Sequence, residues 1–415
     1  MNKSYDWVIV GGGITGIAIA EILCRSGKKV KLLERNATLS SETTREFHEW
    51  VHTGSLYTLK GNQKITQKTM LGAIDDLFTY YSSFKSMNLK QMSSGISIND
   101  NNEKKKWYNN ENLHFKYRIK GRKTNLFWIL RIAKSILYID KVKKYNWLRN
   151  RGGELKHNLS IISVLVELFK LIKFKQKLYT IKSTDFTSNS RIILNDLLQN
   201  ALHRGLEISF KNKFTGYKKK VNEILVECES ENLITKNLVL CNGKEIANFF
   251  TSNIKTSYAP MLVTKNVPES QKPYVELDIK ENNCINYIGK ENNVGLMGGI
   301  SFDSKKNCDS YFNYLASKLK SMWPNSEVLE RYVGEKHEII PNESSRNYQF
   351  FIWNKKDTNI WAVIPGKFSL FSSFATEFYR RAYNENPEKT IIDYSDNNVK
   401  KNIISDTIWS NYKDK

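Results

Sequence analysis

Two residue types that build metal and disulfide sites are scarce in this 415-residue chain. It holds five cysteines, Cys24, Cys228, Cys241, Cys284 and Cys308, odd in number, scattered, and without a CxxC pair. That excludes a disulfide framework and a thiolate zinc site. The six histidines show no ligand-like spacing to one another or to a Cys or carboxylate cluster, so no metal is expected. Neither internal repeats nor a low-complexity linker is present. Two stretches, Leu126–Ile139 and Leu159–Phe174, are strongly apolar, but neither reaches the roughly eighteen uninterrupted apolar residues of a membrane span. "MNKSYD" leads straight into a strand rather than a signal peptide, and the unpaired thiols suit a reducing compartment, so a cytoplasmic protein is expected.

Basic charge is abundant, at a formal +22. Such a balance suits nucleic acid, a membrane surface or anionic ligands. Lys, Asn and Ile are all frequent, as an AT-rich genome would produce, and the runs Lys104–Lys106 and Lys218–Lys220 read as solvated loops. Nucleic acid is therefore not the expected partner. The length exceeds what one hydrophobic core serves, so two domains are expected.

"DWVIV" (Asp6–Val10) is a short apolar run that stops at glycine and reads as a buried strand. "ITGIAIAEILCRSG" carries apolar residues at helical spacing and ends at Gly27, and "KKVKLLE" reads as a second strand. Strand, glycine turn, helix and strand make the dinucleotide-binding arrangement of a Rossmann-like unit. Gly11, Gly13 and Gly16 satisfy G-x-G-x-x-G: a tight turn, a close approach to pyrophosphate, and room for helix against strand. Ile14 and Thr15 open the helix, whose N-terminal N–H groups and dipole favour phosphate. Glu34 closes the second strand where a ribose hydroxyl would bond, and its charge would repel a 2′-phosphate. The bland alternative, a glycine turn in an ordinary α/β unit, leaves Glu34 unexplained.

Further along, "SRIILNDLLQNALHRGLEISF" reads as a helix ending near Gly205 and then a strand, with strands in "NEILVECES" and "NLVLCNG". "LVLCNGKE", with Cys241-Asn242-Gly243 in its turn, resembles the strand and Ala-Thr-Gly turn of the D-amino-acid-oxidase superfamily of FAD-dependent oxidoreductases. "SSETTREFHEWVHTGSLYT" is similar to that superfamily's segment after the second strand, where a Thr/Ser pair precedes a His-x-Gly turn beside the flavin. Two branches resemble the chain most. The glycerol-3-phosphate dehydrogenases have a His-Gly-Gly-Leu-Arg-Tyr turn and the L-2-hydroxyglutarate oxidases a His-Ser-Gly-Ile-Tyr-Tyr turn. Here it is His52-Thr53-Gly54-Ser55-Leu56-Tyr57, with Leu56 where the first branch has its phosphate-binding arginine. "SSRNYQFFIW" resembles the Ser-Arg-Asp-His stretch of that branch, and Pro365-Gly366-Lys367 its Gly-Gly-Lys turn; Lys336 in "YVGEKHEIIP" stands in for the arginine of Gly-x-Arg-Pro.

The resemblance implies FAD as cofactor, held by Gly11, Gly13, Ile14, Thr15, Gly16, Glu34, Arg35, Thr43, Thr44, Gly243, Gly366 and Lys367. It implies an α/β fold: a doubly wound FAD-binding domain from 1–60, 181–255 and 355–384, an α+β substrate domain from 61–180 and 256–354, and a polar tail, 385–415, that drapes loosely. The reaction it implies is oxidation of a small anionic alcohol, a 2-hydroxy acid or glycerol 3-phosphate, by hydride transfer to flavin N5, with oxygen or a quinone as acceptor.

Chemistry assigns roles within that frame. His52 is the candidate base for the hydroxyl proton, with packing against the flavin as the other reading, and His48 ranks below it. Tyr57 donates to substrate or packs under the ring. Lys336, Arg346 and Lys367 are candidates for the substrate's carboxylate or phosphate, each with a solvated surface charge as the alternative. A helix after Gly366, with Phe371, Phe374, Ala375 and Phe378 on one face and Arg380 and Arg381 at its C-terminal end, would aim its positive end at the reduced flavin edge. In the middle region Ile161, Leu165, Leu168 and Ile172 share a helical face with basic flanks, which suits a core helix or one lying on a membrane. Amine oxidation on the same scaffold, a non-catalytic flavoprotein and an RNA-associated flavoprotein remain alternatives.

Overall fold

The computed structural model describes residues 4–47, 49–52, 64–92, 95–98, 106–108, 114–120, 130, 133, 134, 137, 160–173, 178–250, 253–268, 273–278, 283–290, 292–339, 349–356, 358–392 and 403–412. The first half runs β1 (Ser4–Val10), α1 (Ile14–Arg25), β2 (Val30–Leu33), α2 (Thr43–Glu46), β3 (Trp50–Val51), α3 (Lys64–Tyr81), β4 (Leu89–Met92), β5 (Gly95–Ile98), β6 (His114–Lys120), α4 (Ile161–Lys173), β7 (Leu178–Thr187) and α5 (Ser190–His203). The second runs β8 (Glu207–Ser209), β9 (Phe214–Lys219), β10 (Ile224–Cys228), β11 (Leu233–Leu240), β12 (Ile254–Lys265), β13 (Tyr274–Asp278), β14 (Asn283–Gly289), β15 (Gly295–Gly299), α6 (Cys308–Met322), β16 (Glu327–Ile339), β17 (Phe351–Asn354), β18 (Ile360–Ile364) and α7 (Phe371–Tyr383).

Strand β1 is buried without interruption from Trp7 to Val10, as a central parallel strand covered on both faces must be. It stands in a parallel ladder of order β18-β11-β1-β2-β8, edged by antiparallel β17, with the β9–β10 hairpin added to β11. Val10 pairs with both Leu33 and Leu240, so β1, β2 and β11 end level and the chain leaves them at Gly11, Glu34 and Cys241. The carboxyl ends of such a sheet are where its ligand crevice lies.

Every residue of α1 is buried, because α5 and α7 flank it and α3 packs on α7. Ile17 and Ala18 share one core with Leu194 and Leu197 of α5, Phe374 and Phe378 of α7, and Met70, Ile74 and Leu77 of α3. Two charges are buried with them. Glu21 lies 3.6 Å from Arg25 and accepts a 2.7 Å bond from Asn200 Nδ2. Burial pushes the Glu21 carboxyl up from its ordinary range against the pull of Arg25.

The second sheet has the order β16-β12-β15-β14-β13-β6-β7-β3, antiparallel except where β13 meets β6. Leu315 and Leu319 of α6 pack with Leu262, Tyr287 and Met297 of this sheet. A 2-stranded sheet, β4–β5, lies apart from both.

Three sequence expectations change. Lys218 and Lys219 sit on β9 rather than in a loop, with Lys218 paired to Glu227 across the hairpin at 2.6 Å. In α4 the apolar residues do not form one inward face: Val164 is buried, while Ile161 and Leu165 are exposed. The tail does not drape loosely over 403–412, since Trp409 is buried and Ile404 bridges to Leu39. Most of the 126–139 stretch falls outside the described residues, as do Lys104 and Lys105. Among the described residues no helix is long and apolar enough to cross a membrane.

Candidate active site

Between the carboxyl edge of the first sheet and the inner face of the second lies a cavity of about 1000 Å³, at the upper end of small-molecule sites. The glycine turn forms its floor. Gly11 has φ +104°, a region that side chains avoid, and a Cβ on Gly16 would lie 1.9 Å from the Gly11 carbonyl oxygen. The turn therefore runs closer to α1 than any other residue at position 16 would allow. Gly13 is the extended N-cap of α1, caps it with no side chain, and accepts from Ile17 N at 3.0 Å. Helix entry thus leaves backbone N–H groups at the cavity, where Ile14 and Thr15 line it. Ile14 N meets Thr44 Oγ1 at 3.2 Å, and Thr43 Oγ1 donates to the Glu335 carbonyl at 2.8 Å, tying α2 to both walls.

The carboxylate of Glu34 accepts Gly12 N at 2.9 Å and Asn36 N at 2.8 Å. It braces the turn, and about two of a carboxylate's four acceptor positions remain for a ligand. Arg35 bridges Glu42 and Glu245, the latter at 2.6 Å, and so joins the loop after β2 to the turn after β11. Gly243 begins that turn beside His337. Two polar atoms of residues in the cavity wall, Asn242 Oδ1 and Ser41 Oγ, are buried without a hydrogen-bond partner among the described residues. Helix N–H groups at the cavity, a glycine cradle and these orphaned atoms fit a dinucleotide diphosphate and its adjoining sugars.

On the other side stands His52. It follows β3, whose register with β7 pairs Trp50 with Thr187 and Val51 with Phe186, and so sets His52 across from Asp185. His52 Nδ1 lies 3.6 Å from Asp185 Oδ2, which also accepts Trp50 Nε1 at 2.9 Å. The Trp50 indole covers the imidazole at a centroid distance of 4.1 Å. His52 Nε2 lies 3.1 Å from Lys367 Nζ. Burial lowers the His52 pKa to about 4, the Lys367 and Lys336 charges reinforce the shift, and Asp185 opposes it. The ring is therefore neutral at pH 7, and an ammonium against Nε2 fixes the lone pair there and the N–H on Nδ1.

Lys367 is placed by Gly366, whose φ of +62° turns the chain after β18 and whose Cβ would lie 2.3 Å from the Gln349 carbonyl oxygen. The helix expected next is present with its aromatic face buried and Arg380 and Arg381 in its last turn. It does not start at the turn, however. A 3-10 turn, Phe368–Leu370, intervenes, so Pro365 to Phe368 rather than the α7 N-terminus line the cavity. Lys336 also lines it, held 3.2 Å from Glu338, a buried carboxylate that accepts Ser257 Oγ at 2.7 Å. Sequence reasoning missed Asp185, which only strand register brings to the site, and Glu338, which lies two residues from Lys336 on the same face of β16. Tyr57, Leu56, Arg346 and His48 lie outside the described residues.

Fold and site together define a dinucleotide-binding α/β protein with a titratable cluster facing the crevice. The chain belongs to the FAD dependent oxidoreductase (DAO) family, whose match spans residues 6–364. It is an FAD-dependent oxidoreductase, an enzyme with FAD as its cofactor. No curated protein matches the sequence. Its fold is similar to that of L-alpha-glycerophosphate oxidase from Mycoplasma pneumoniae with FAD bound, at TM-score 0.63 and 15% identity over 94% of this chain and 97% of that one. It is also similar to glycine oxidase from Geobacillus kaustophilus (TM-score 0.60, 12% identity, 94% and 96% covered). A third similar structure is an L-amino acid deaminase from Proteus vulgaris (TM-score 0.61, 13% identity, 93% and 92% covered).

Proposed function

We propose that the enzyme oxidises a small anionic alcohol, a 2-hydroxy acid or glycerol 3-phosphate, with His52 as the base. The observation that carries this reading is a neutral imidazole whose Nε2 faces a cavity-lining ammonium 3.1 Å away. Alcohol oxidation needs a group that takes the hydroxyl proton at neutral pH, and a neutral histidine does so. FAD, when bound, supplies the two-electron acceptor. Gly11, Gly13, Gly16, Ile14 and Thr15 hold its diphosphate, and Glu34 holds the adjoining ribose. Arg35, Thr43, Thr44, Gly243 and Gly366 complete the wall.

The substrate hydroxyl donates to Nε2 of His52 in place of Lys367 Nζ, whose 3.1 Å contact it displaces. Lys367, displaced from that lone pair, has three N–H donors with which to hold the substrate oxygen. The hydroxyl proton passes to Nε2, and the imidazolium formed is stabilised through Nδ1–H by Asp185. Lys336, with Arg346, takes the carboxylate or phosphate, and Tyr57 the remaining polar edge. Trp50 and the burial of His52 keep water from the base. Oxygen or a quinone accepts the electrons afterwards. The division at 61–180 and 256–354 gives β6 and β12 to β16 of the second sheet to the substrate and leaves β3 and most of β7 with the FAD-binding segments.

The test is anaerobic bleaching of the flavin band by a panel of 2-hydroxy acids, polyol phosphates, amines and amino acids. Bleaching by a hydroxy acid or polyol phosphate that His52→Gln abolishes is the expected result. Bleaching by amino acids alone assigns the site to amine oxidation and overturns the alcohol reading.

A further inference from the structure

Eight large apolar side chains are exposed among the described residues, and five of them, Ile161, Ile162, Leu165, Val166 and Phe169, belong to α4. Helical geometry, at about 100° per residue, places those five on one arc of roughly 140°. Val164 and Leu168 follow on the flank next to Ile161, where Val164 is buried and Leu168 half-buried. The helix is therefore held to the protein by a narrow stripe and turns its wider apolar face outward. Ile161 is 77% and Phe169 67% exposed. A surface of this kind marks a docking site rather than ordinary exposed apolar atoms.

The composition of the face and its flanks identifies what it fits. No hydrogen-bonding side chain lies among the five, so the face offers a partner no polar register, only depth. The chain entering α4 carries Lys143, Lys144, Arg149 and Arg151, and the chain leaving it carries Lys175 and Lys177. Within the helix Lys170 is exposed, pairing at 3.3 Å with Glu167. The 13 residues of α4 are too few to span a bilayer. An apolar face with basic flanks, on a chain of formal charge +22, suits an anionic lipid surface.

We propose that α4 lies flat on an anionic lipid surface, sinking Ile161, Ile162, Leu165, Val166 and Phe169 below the headgroups while Lys170 meets lipid phosphate. The site does not depend on which substrate the enzyme oxidises.

The experiment sediments the flavin-loaded full chain with vesicles of phosphatidylcholine alone or mixed with phosphatidylglycerol. Retention on the anionic vesicles, weakened by salt, is expected. The double variant I162E/F169E is expected to lower retention on the order of tenfold or more, with flavin absorbance and thermal midpoint unchanged because both side chains already face water. Equal retention of wild type and variant, or a wild-type protein that stays in the supernatant, overturns the proposal. Equal binding to neutral vesicles overturns its anionic part. A lipid-free dimer that I162E/F169E converts to monomer assigns the face to a second copy of the chain instead.

Discussion

His52 Nε2 and Lys367 Nζ sit 3.1 Å apart although 315 residues separate them in sequence. The pair exists because β3 ends at one cavity wall and the Gly366 turn projects from another. Its members act on each other, since the lysine's charge helps hold the imidazole neutral.

Replacing the base tests the centre of the reading. His52→Gln is expected to lower kcat/KM by about 10²- to 10⁴-fold, the usual worth of a general base, with flavin content unchanged. Steady-state rates on the substrate that bleaches the flavin check it.

Lys367→Met removes a cation that lowers the His52 pKa, so the pKa rises. The acid limb of kcat/KM should move upward from about 4 towards the ordinary histidine value of about 6.5. KM for the anionic substrate should rise as well. A limb that stays in place shows that Lys367 does not act on His52.

Asp185→Asn has the opposite sign. The carboxylate raises the His52 pKa, so its loss moves the acid limb downward. The imidazole also loses the group that orients it, and kcat is expected to fall on the order of a hundredfold with KM little changed. A purely structural role for Asp185 would lower the thermal midpoint without moving the limb.

Gly16→Ala would set a methyl group 1.9 Å from the Gly11 carbonyl oxygen, which cannot be relieved by a side-chain rotation. The helix must shift from the turn. A destabilisation of about 1–3 kcal/mol and loss of flavin retention are expected, read by chemical unfolding and by absorbance after gel filtration.

Removing residues 403–415 tests the tail. Leu39 N donates to Ile403 O at 2.8 Å, Ser405 N to Leu39 O at 2.9 Å, and Arg191 Nη1 to Ser405 O at 2.5 Å. Leu39 in turn leads into Ser40, whose N–H bonds Gly12 O at 2.9 Å. Freeing that loop should weaken FAD about tenfold, in line with one or two lost hydrogen bonds at about 1 kcal/mol each. Fluorescence titration of the apoprotein measures it.

The nucleotide half of the site was legible because its requirements are local. A diphosphate needs bare backbone at fixed offsets, and Gly11, Gly13 and Gly16 announce that within six residues. Helix α7 was legible for the same reason, its buried aromatics recurring at helical spacing. The catalytic wall is different. Asp185 reaches His52 only through the β3–β7 register, and the Glu338 carboxylate that holds Lys336, two residues along β16, is itself braced by Ser257 of neighbouring β12. Pairings between distant strands leave no mark in a single sequence. The outward turn of α4 was hidden as well, because both sides of that helix carry apolar residues and spacing alone does not say which side meets the protein.

The parallel ladder that holds the glycine turn takes its central strand from residues 4–10 and an outer one from 360–364, and the loop over Gly12 is tied down by residues 403–405. A ribosome therefore releases the glycine turn long before its enclosing wall. Until those later residues emerge the nascent chain carries half a cradle, and tight cofactor uptake has to wait for them.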